Sequence, residues 1–141
     1  MDKKMVISKK QIGMEAPMVA NKLTQSCVYV SLFGLLDSAR ISDISKKTTQ
    51  LCESDDIRCV ILDLINVDAI DTAVAGYINR LADTLKLMGI EPIICGIKPE
   101  LAETMIKAEI RFSDMQIVKN LQEALLLCYK LTGYSLQKHQ E

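Results

Sequence analysis

The chain is organised around the stretch VILDLINVDAIDTAVAG, residues 60–76. Residues 60–64 are apolar apart from one aspartate, which is typical of a buried strand. The small residues that end the stretch are typical of a helix start, with Asp71 in the capping position. Thr72 then lies in the first turn, where backbone N–H groups lack partners within the helix and the helix dipole favours negative charge. A phosphate on the Thr72 hydroxyl is therefore compatible with the predicted fold.

Strands and helices alternate on both sides of this stretch. The predicted strands cover residues 18–23, 27–33, 58 to about 65, 92–97 and a short edge strand at 117–118. The predicted helices begin near Ser38, Thr72, Pro99 and Leu121. Because the first two strands are joined by a tight turn, they are expected to pair antiparallel, whereas the later strands are joined by right-handed crossovers. The sequence therefore predicts an α/β fold with a mixed, mostly parallel sheet of about four to five strands and about four helices.

Length and composition indicate one folded domain. The chain has 141 residues, of which 49% are hydrophobic, enough for a core of its own. We predict an N-terminal arm at residues 1–16, a folded domain at residues 17–133 and a polar tail at residues 134–141.

Several function classes are disfavoured by composition. Seventeen basic residues balance 18 acidic residues, and there are only four Tyr and two Phe, so no basic or aromatic surface for nucleic acid is predicted. The single histidine, His139, rules out a His-containing triad and a multi-histidine metal site. No glycine-rich phosphate loop occurs. We therefore predict a protein that is not an enzyme and that has no cofactor and no metal.

The five cysteines are scattered singly through apolar segments and form no C-x-x-C pair. We expect them to be free, buried thiols in a reducing compartment, with no two of them placed to form a bridge. No apolar run reaches the roughly 18 residues that a membrane helix needs, and no signal-peptide pattern is present. The expected location is the cytoplasm.

Three residues could carry a phosphate, and each also has a purely structural interpretation. Asp63 lies on a parallel strand, like the acceptor of a response-regulator receiver, but residues 34–36 are Gly-Leu-Leu rather than acidic metal ligands. We therefore expect Asp63 to make a structural hydrogen bond. Thr72 could simply start its helix, and Thr104 could be a solvated residue beside an apolar helical arc. Spacing alone favours these structural interpretations.

Two longer segments favour the functional interpretation of Thr72 and Thr104. The segments DLINVDAIDTAVAGYINRLADTLKLMGI, residues 63–90, and GIKPELAETMIKAEI, residues 96–110, resemble the STAS domain of anti-sigma-factor antagonists, specifically its stressosome scaffold branch. The resemblance extends over residues 18–131, and the paired motifs D-T-x-V-A and G-I-x-P-E-x-A-x-T are fairly specific. Two positions depart from it: small stand-alone members usually have Ser where this chain has Thr72, and Glu109 stands where the family often has Gly.

The resemblance implies a non-catalytic phospho-switch. It implies that Thr72 is the phosphoacceptor of a serine/threonine switch kinase, that Thr104 is a second acceptor, and that the domain docks the kinase or an anti-sigma factor. We expect four residues to form the docking face: Asp68, Asp71, Tyr77 and Asn79. The resemblance also implies association with other STAS scaffold subunits, and we expect at least dimers. Two alternatives stay open: a free sporulation-type antagonist, and a small-ligand or nucleotide-binding STAS module.

Overall fold

The computed structural model describes residues 17–53, 56–111 and 114–139. The predicted arm at residues 1–16 lies outside the described residues. The strands are β1 (Met18–Thr24), β2 (Cys27–Leu35), β3 (Cys59–Ala69), β4 (Glu91–Cys95) and β5 (Gln116–Ile117). The helices are α1 (Ser38–Glu53), α2 (Thr72–Leu87), α3 (Pro99–Lys107) and α4 (Leu121–Leu131). The predicted α/β fold is confirmed.

The strands form one mixed sheet in the order β1-β2-β3-β4-β5. Strands β1 and β2 form an antiparallel hairpin, and the pairs β2–β3, β3–β4 and β4–β5 are parallel. The carboxyl ends of β2 and β3 therefore meet at one edge of the sheet, which we call the switch edge. Both α1 and α2 begin there.

Alternation along the strands divides the core between the two faces of the sheet. Val30, Leu62 and Ile94 belong to the larger cluster, which α1 and α2 cover. Ile61 and Ile93 point the other way, into a smaller cluster with Ala124 of α4. This arrangement follows from the period of two in a strand, because neighbouring residues point to opposite faces. The sheet therefore holds α2 on one face and leaves its solvent side free.

Strand β3 is longer than predicted. We expected it to end at about Ile65, whereas it runs to Ala69. Beyond a register shift, Asn66 pairs with Phe33 and Val67 pairs with Gly34, so β2 continues to support the strand. The side chain of Val67 is fully buried, and its burial stabilises the polar residues on either side of it in the strand. Only two residues then separate β3 from α2, and the position of Thr72 is tightly constrained.

The cysteine prediction is wrong. A disulfide joins Cys27, at the start of β2, to Cys128 of α4, across a sequence separation of 101 residues and a Cα–Cα distance of 7.0 Å. Sequence spacing did not indicate this pair, because it is the packing of α4 on the sheet that brings the two residues together. The other three cysteines, Cys52, Cys59 and Cys95, are free and buried, as expected.

Helix α3 ends in an unusual conformation. The helix stops at Lys107, and Glu109 follows with φ of 57°, in the left-handed region. Gly89, just beyond α2, has φ of 81° and marks the helix end where the sequence predicted it. Glu109 therefore occupies a position that suits glycine, and it is the same position at which the chain departs from the family motif.

Glu109→Gly is expected to stabilise the domain by about 0.5–1 kcal/mol. A left-handed conformation costs a residue with a Cβ about 1–2 kcal/mol, and the greater freedom of glycine in the unfolded chain offsets part of that gain. Urea unfolding of the two proteins measures the difference. The matched control is Lys107→Gly inside α3, which we expect to destabilise by up to about 1 kcal/mol. Equal effects of the two changes would contradict the conformational explanation.

Candidate functional site

Asp71 sits between β3 and α2 and caps the helix. Its carboxylate oxygen Oδ1 accepts a hydrogen bond of 2.8 Å from the backbone N–H of Val74, and its carbonyl accepts one of 3.0 Å from the N–H of Ala75. The extended backbone of Asp71, with φ of −99° and ψ of 178°, is the usual conformation of a capping residue. The start of α2 is therefore stabilised without help from the next side chain.

Thr72 is the first residue of α2, and its side chain is exposed. Within the described part of the chain its hydroxyl makes no hydrogen bond, in contrast to Thr84, whose hydroxyl donates to the Arg80 carbonyl at 2.8 Å. The Thr72 hydroxyl is consequently accessible from solvent and is not used by the fold. It lies beside the first-turn N–H groups, where the helix dipole favours an anion.

A shallow groove of about 290 Å³ runs along α2 from Thr72, and we call it the acceptor groove. Its floor is made by small residues, Ala73 and Gly76, and its far end by Tyr77 and Arg80. The Arg80 guanidinium lies 5.4 Å from the centre of the Tyr77 ring, within the range of a cation–π contact. Gly76 leaves open space above the helix. A partner can therefore approach the backbone of α2 closely beside the threonine.

The structure brings only some of the predicted docking residues to this groove. Of the four, only Tyr77 lines it beside Thr72, whereas Asp68, Asp71 and Asn79 are not among its lining residues. Asp68 is exposed on the last part of β3, and Asn79 is half-buried two turns along α2. Arg80, which sequence reasoning missed, lies next to Tyr77. The sequence could have indicated Arg80 through its spacing of eight residues from Thr72, because this spacing places two residues on similar sides of a helix.

The surroundings of Thr104 differ from those of Thr72. Thr104 is half-buried on α3, and its hydroxyl donates a hydrogen bond of 3.1 Å to the carbonyl of Glu100. A small buried cluster of Ala75, Met105 and Ile110 joins this part of the chain to α2. The Thr104 hydroxyl is therefore already engaged, and it does not line the acceptor groove.

Asp63 is a buried structural residue, as predicted. Its side chain is 3% exposed, Oδ2 accepts a 2.7 Å hydrogen bond from the Tyr29 hydroxyl, and Oδ1 accepts a 3.1 Å bond from the N–H of Ile65. The Tyr29 bond joins β2 to the middle of β3, and the Ile65 bond lies within β3. The carboxylate is thus used within the fold rather than presented to solvent.

The Tyr29–Asp63 bond gives a test in alkaline solution. Burial and, next, the hydrogen bond to Asp63 raise the pKa of Tyr29 from 10.0 to about 12. Since the folded-state pKa is the higher one, the stabilisation is complete below about pH 10 and is lost as the pH rises towards 12. We expect absorbance titration to show one tyrosine that ionises near pH 12 and that disappears in Tyr29→Phe. A Tyr29 transition near pH 10 would contradict this hydrogen bond.

The cysteine sulfurs offer little reactive chemistry. The Sγ atoms of Cys27, Cys59 and Cys128 lie within 4.8 Å of one another, but the disulfide uses two of them. Burial raises the pKa of the free Cys59 thiol to about 12, and burial followed by the Asp63 charge raises that of Cys95 to about 12. These two thiols are therefore protonated at neutral pH and are poor nucleophiles or metal ligands in this state.

Comparison with known proteins identifies the family. The profile of the STAS domain matches residues 18–124. The chain belongs to the STAS domain family. The resemblance seen in the sequence is thereby confirmed. In the part of this STAS protein that the structure describes, no helix has the length and apolar character needed to cross a membrane.

Curated STAS relatives are longer than this chain. RsbT co-antagonist protein RsbRB of Bacillus subtilis (strain 168) is 35% identical over 103 residues, which are 73% of this chain and 37% of the relative. RsbT co-antagonist protein RsbRD of the same organism is 34% identical over 103 residues, with the same coverage of 73% and 37%. The chain thus spans little more than a third of these relatives.

Solved STAS structures share the fold. A variant of RsbS from Moorella thermoacetica superposes with a TM-score of 0.72 at 18% identity, covering 82% of this chain and 97% of RsbS. The anti-sigma factor antagonist SpoIIAA in its unphosphorylated form gives 0.66 at 16% identity, covering 84% and 99%. At these identities the likeness establishes the five-stranded STAS fold.

Proposed function

We propose that this STAS domain is a non-catalytic phospho-switch. In this proposal the unmodified domain docks a serine/threonine switch kinase or an anti-sigma factor at the switch edge, and phosphorylation of Thr72 releases the partner. The observation that carries the proposal is the state of Thr72: an exposed hydroxyl at the first position of α2, without a hydrogen bond in the described residues, beside an independent cap.

The relatives support the same class of function. The curated relatives are named co-antagonists of RsbT, and one structural relative is a component of the stressosome, a signal integration and transduction hub. SpoIIAA has been solved in both an unphosphorylated and a phosphorylated form. Because the chain spans 37% of RsbRB, its partners and its assembly with other STAS subunits are part of the proposal.

The proposed mechanism is electrostatic and local. A phosphate adds about −1.5 to −2 charges at neutral pH. On Thr72 it stands next to the Asp71 carboxylate and at one end of the acceptor groove, on a surface that the core does not use. The added charge therefore changes the docking face while the packing beneath α2 stays the same. Asp68, Asp71, Tyr77 and Asn79 form the proposed docking face around it.

Thr104 is proposed as a second, slower acceptor. Its hydroxyl must first leave the Glu100 carbonyl, and its side chain is only half-exposed. These features predict that Thr104 is modified after Thr72, or only at higher kinase concentration.

Binding measurements test the proposal. Stoichiometric phosphorylation of Thr72 should weaken binding of the kinase or anti-sigma factor by roughly tenfold or more, because like charges at an interface are unfavourable. Thr72→Asp should weaken it less, since one carboxylate replaces a dianion. The matched control is Ser135→Asp, which adds the same charge at an exposed position after α4. An unchanged dissociation constant after phosphorylation would contradict the proposal, and saturable ATP binding by the domain alone would favour a ligand-binding module.

A further inference from the structure

A second groove, of about 310 Å³, lies between α1 and α2 and opens to solvent. Lys46 of α1 and Arg80 of α2 line it together with hydroxyl-bearing side chains, and we call it the cationic groove. Tyr77 and Arg80 belong to this groove and also to the acceptor groove. The two grooves thus form one continuous surface that ends at Thr72.

The cations of this groove are not neutralised by the protein. Among residues 17–53, 56–111 and 114–139, neither Lys46 nor Arg80 forms an ion pair. Arg40, which lies about two turns before Lys46 on α1, does form an ion pair. Its guanidinium contacts the Asp37 carboxylate at 2.7 Å. Lys46 and Arg80 are both exposed and belong to different helices, so the groove presents two unpaired positive charges to solvent.

The hydroxyl groups of the groove add hydrogen-bonding capacity. Thr49 and Thr84 donate their hydroxyl hydrogens to carbonyls of their own helices, at 3.0 and 2.8 Å. The hydroxyls of Ser42 and Ser45 make no such bond in the described parts of the chain, so they can donate to an acceptor in the groove. Two cations beside two free hydroxyl donors are a suitable lining for carboxylates.

We propose that the cationic groove binds an acidic segment of the same partner that docks at Thr72. This inference rests on the proposed function and adds the chemistry of the partner. Charge complementarity favours an acidic protein segment. Nucleic acid would need a larger basic surface, because its affinity comes from many phosphate contacts. The groove's volume of about 310 Å³ and its two cations suit one short peptide segment.

This position also explains how the switch would release its partner. Thr72 and Arg80 are eight residues apart on one helix, which corresponds to a rise of about 12 Å. That rise is about one and a half Debye lengths at physiological salt, so a phosphate on Thr72 is largely screened from Arg80. The phosphate instead repels the acidic segment where the partner passes Thr72, at the end of the same continuous surface. Docking and release are therefore governed by the same surface.

The test uses the kinase that phosphorylates this domain. In Lys46→Glu/Arg80→Glu we expect the KM for the domain to rise roughly tenfold or more, with kcat nearly unchanged, because encounter is weakened while Thr72 is intact. Lys130→Glu/Lys138→Glu, on α4 and in the segment after it, is the charge-matched control and should leave KM unchanged. For the wild type, KM should also rise with salt, and this dependence should be weaker in the double variant.

A peptide competitor provides a second test of the cationic groove. A peptide of ten glutamates should inhibit phosphorylation of the wild type but should inhibit that of Lys46→Gln/Arg80→Gln much less, and the glutamine variant also guards against misfolding of the charge-reversed protein. If Thr72 is phosphorylated and both double variants keep the wild-type KM, the groove inference is wrong while the phospho-switch stands. If no kinase phosphorylates wild-type Thr72, the proposed function itself is wrong.

Discussion

Gly96→Ala is expected to lower the free energy of unfolding by about 3 kcal/mol. Gly96 has φ of 73°, where a residue with a Cβ is strained by about 1–2 kcal/mol. A Cβ at this position would also lie 2.5 Å from Oδ1 of Asp63 and 2.8 Å from the backbone N of Ile65. Both atoms are held by the hydrogen bond between them, and overpacking of such a site costs about 1–3 kcal/mol.

The matched control is Gly76→Ala in α2. No atom lies within 4 Å of the Cβ that this change adds, and alanine is the better helix former by about 0.8–1 kcal/mol. We therefore expect Gly76→Ala to stabilise the domain slightly, and urea unfolding of both variants measures the contrast. If Gly96→Ala were as stable as Gly76→Ala, the close approach of the Gly96 backbone to Asp63 would be disproved.

Much of the fold could be predicted because local signals and the global arrangement agree. The antiparallel hairpin, the helix from Thr72 and its end at Gly89, and Pro99 at the first turn of α3 all follow from capping, periodicity and turn residues. Asn120 also behaves as expected, since its side chain accepts from the N–H of Glu123 at 3.0 Å.

The predictions that were wrong concern features that depend on contacts between distant segments. Strand β3 extends to Ala69 because β2 pairs with it beyond the register shift, which the polar residues of this segment do not indicate. The Cys27–Cys128 pair depends on where α4 packs on the sheet. In both cases the local sequence pattern is compatible with several outcomes, and tertiary packing decides between them.

The candidate site also has parts that could be predicted from the sequence and parts that could not. The Asp71 cap was predictable from its position before the helix, and the structure adds the bond to Val74. The grooves were not predictable, because they depend on the spacing of α1 and α2 and on the Tyr77–Arg80 contact. The difference between the free Thr72 hydroxyl and the engaged Thr104 hydroxyl also required side-chain geometry.

Thr72→Ala is expected to abolish phosphorylation at the primary site while leaving the fold intact. The Thr72 side chain is exposed and Asp71 supplies the cap, so the free energy of unfolding should change by about 0.5 kcal/mol or less. Asp71→Ala is the contrasting variant, because loss of the cap should cost about 1 kcal/mol. Urea unfolding of both variants separates the role of the cap from the role of the acceptor.

Site-resolved mass spectrometry after treatment with the kinase and ATP is the most direct test of phosphorylation at Thr72. We expect phosphate on Thr72 in the wild type, with Thr104 modified later, and no phosphate at position 72 in folded Thr72→Ala. The contradicting result is a wild type in which both threonines stay unmodified while the kinase is active, or a Thr72→Ala protein that does not fold. Either outcome would mean that Thr72 only starts α2 and that the switch edge is not a phosphorylation site.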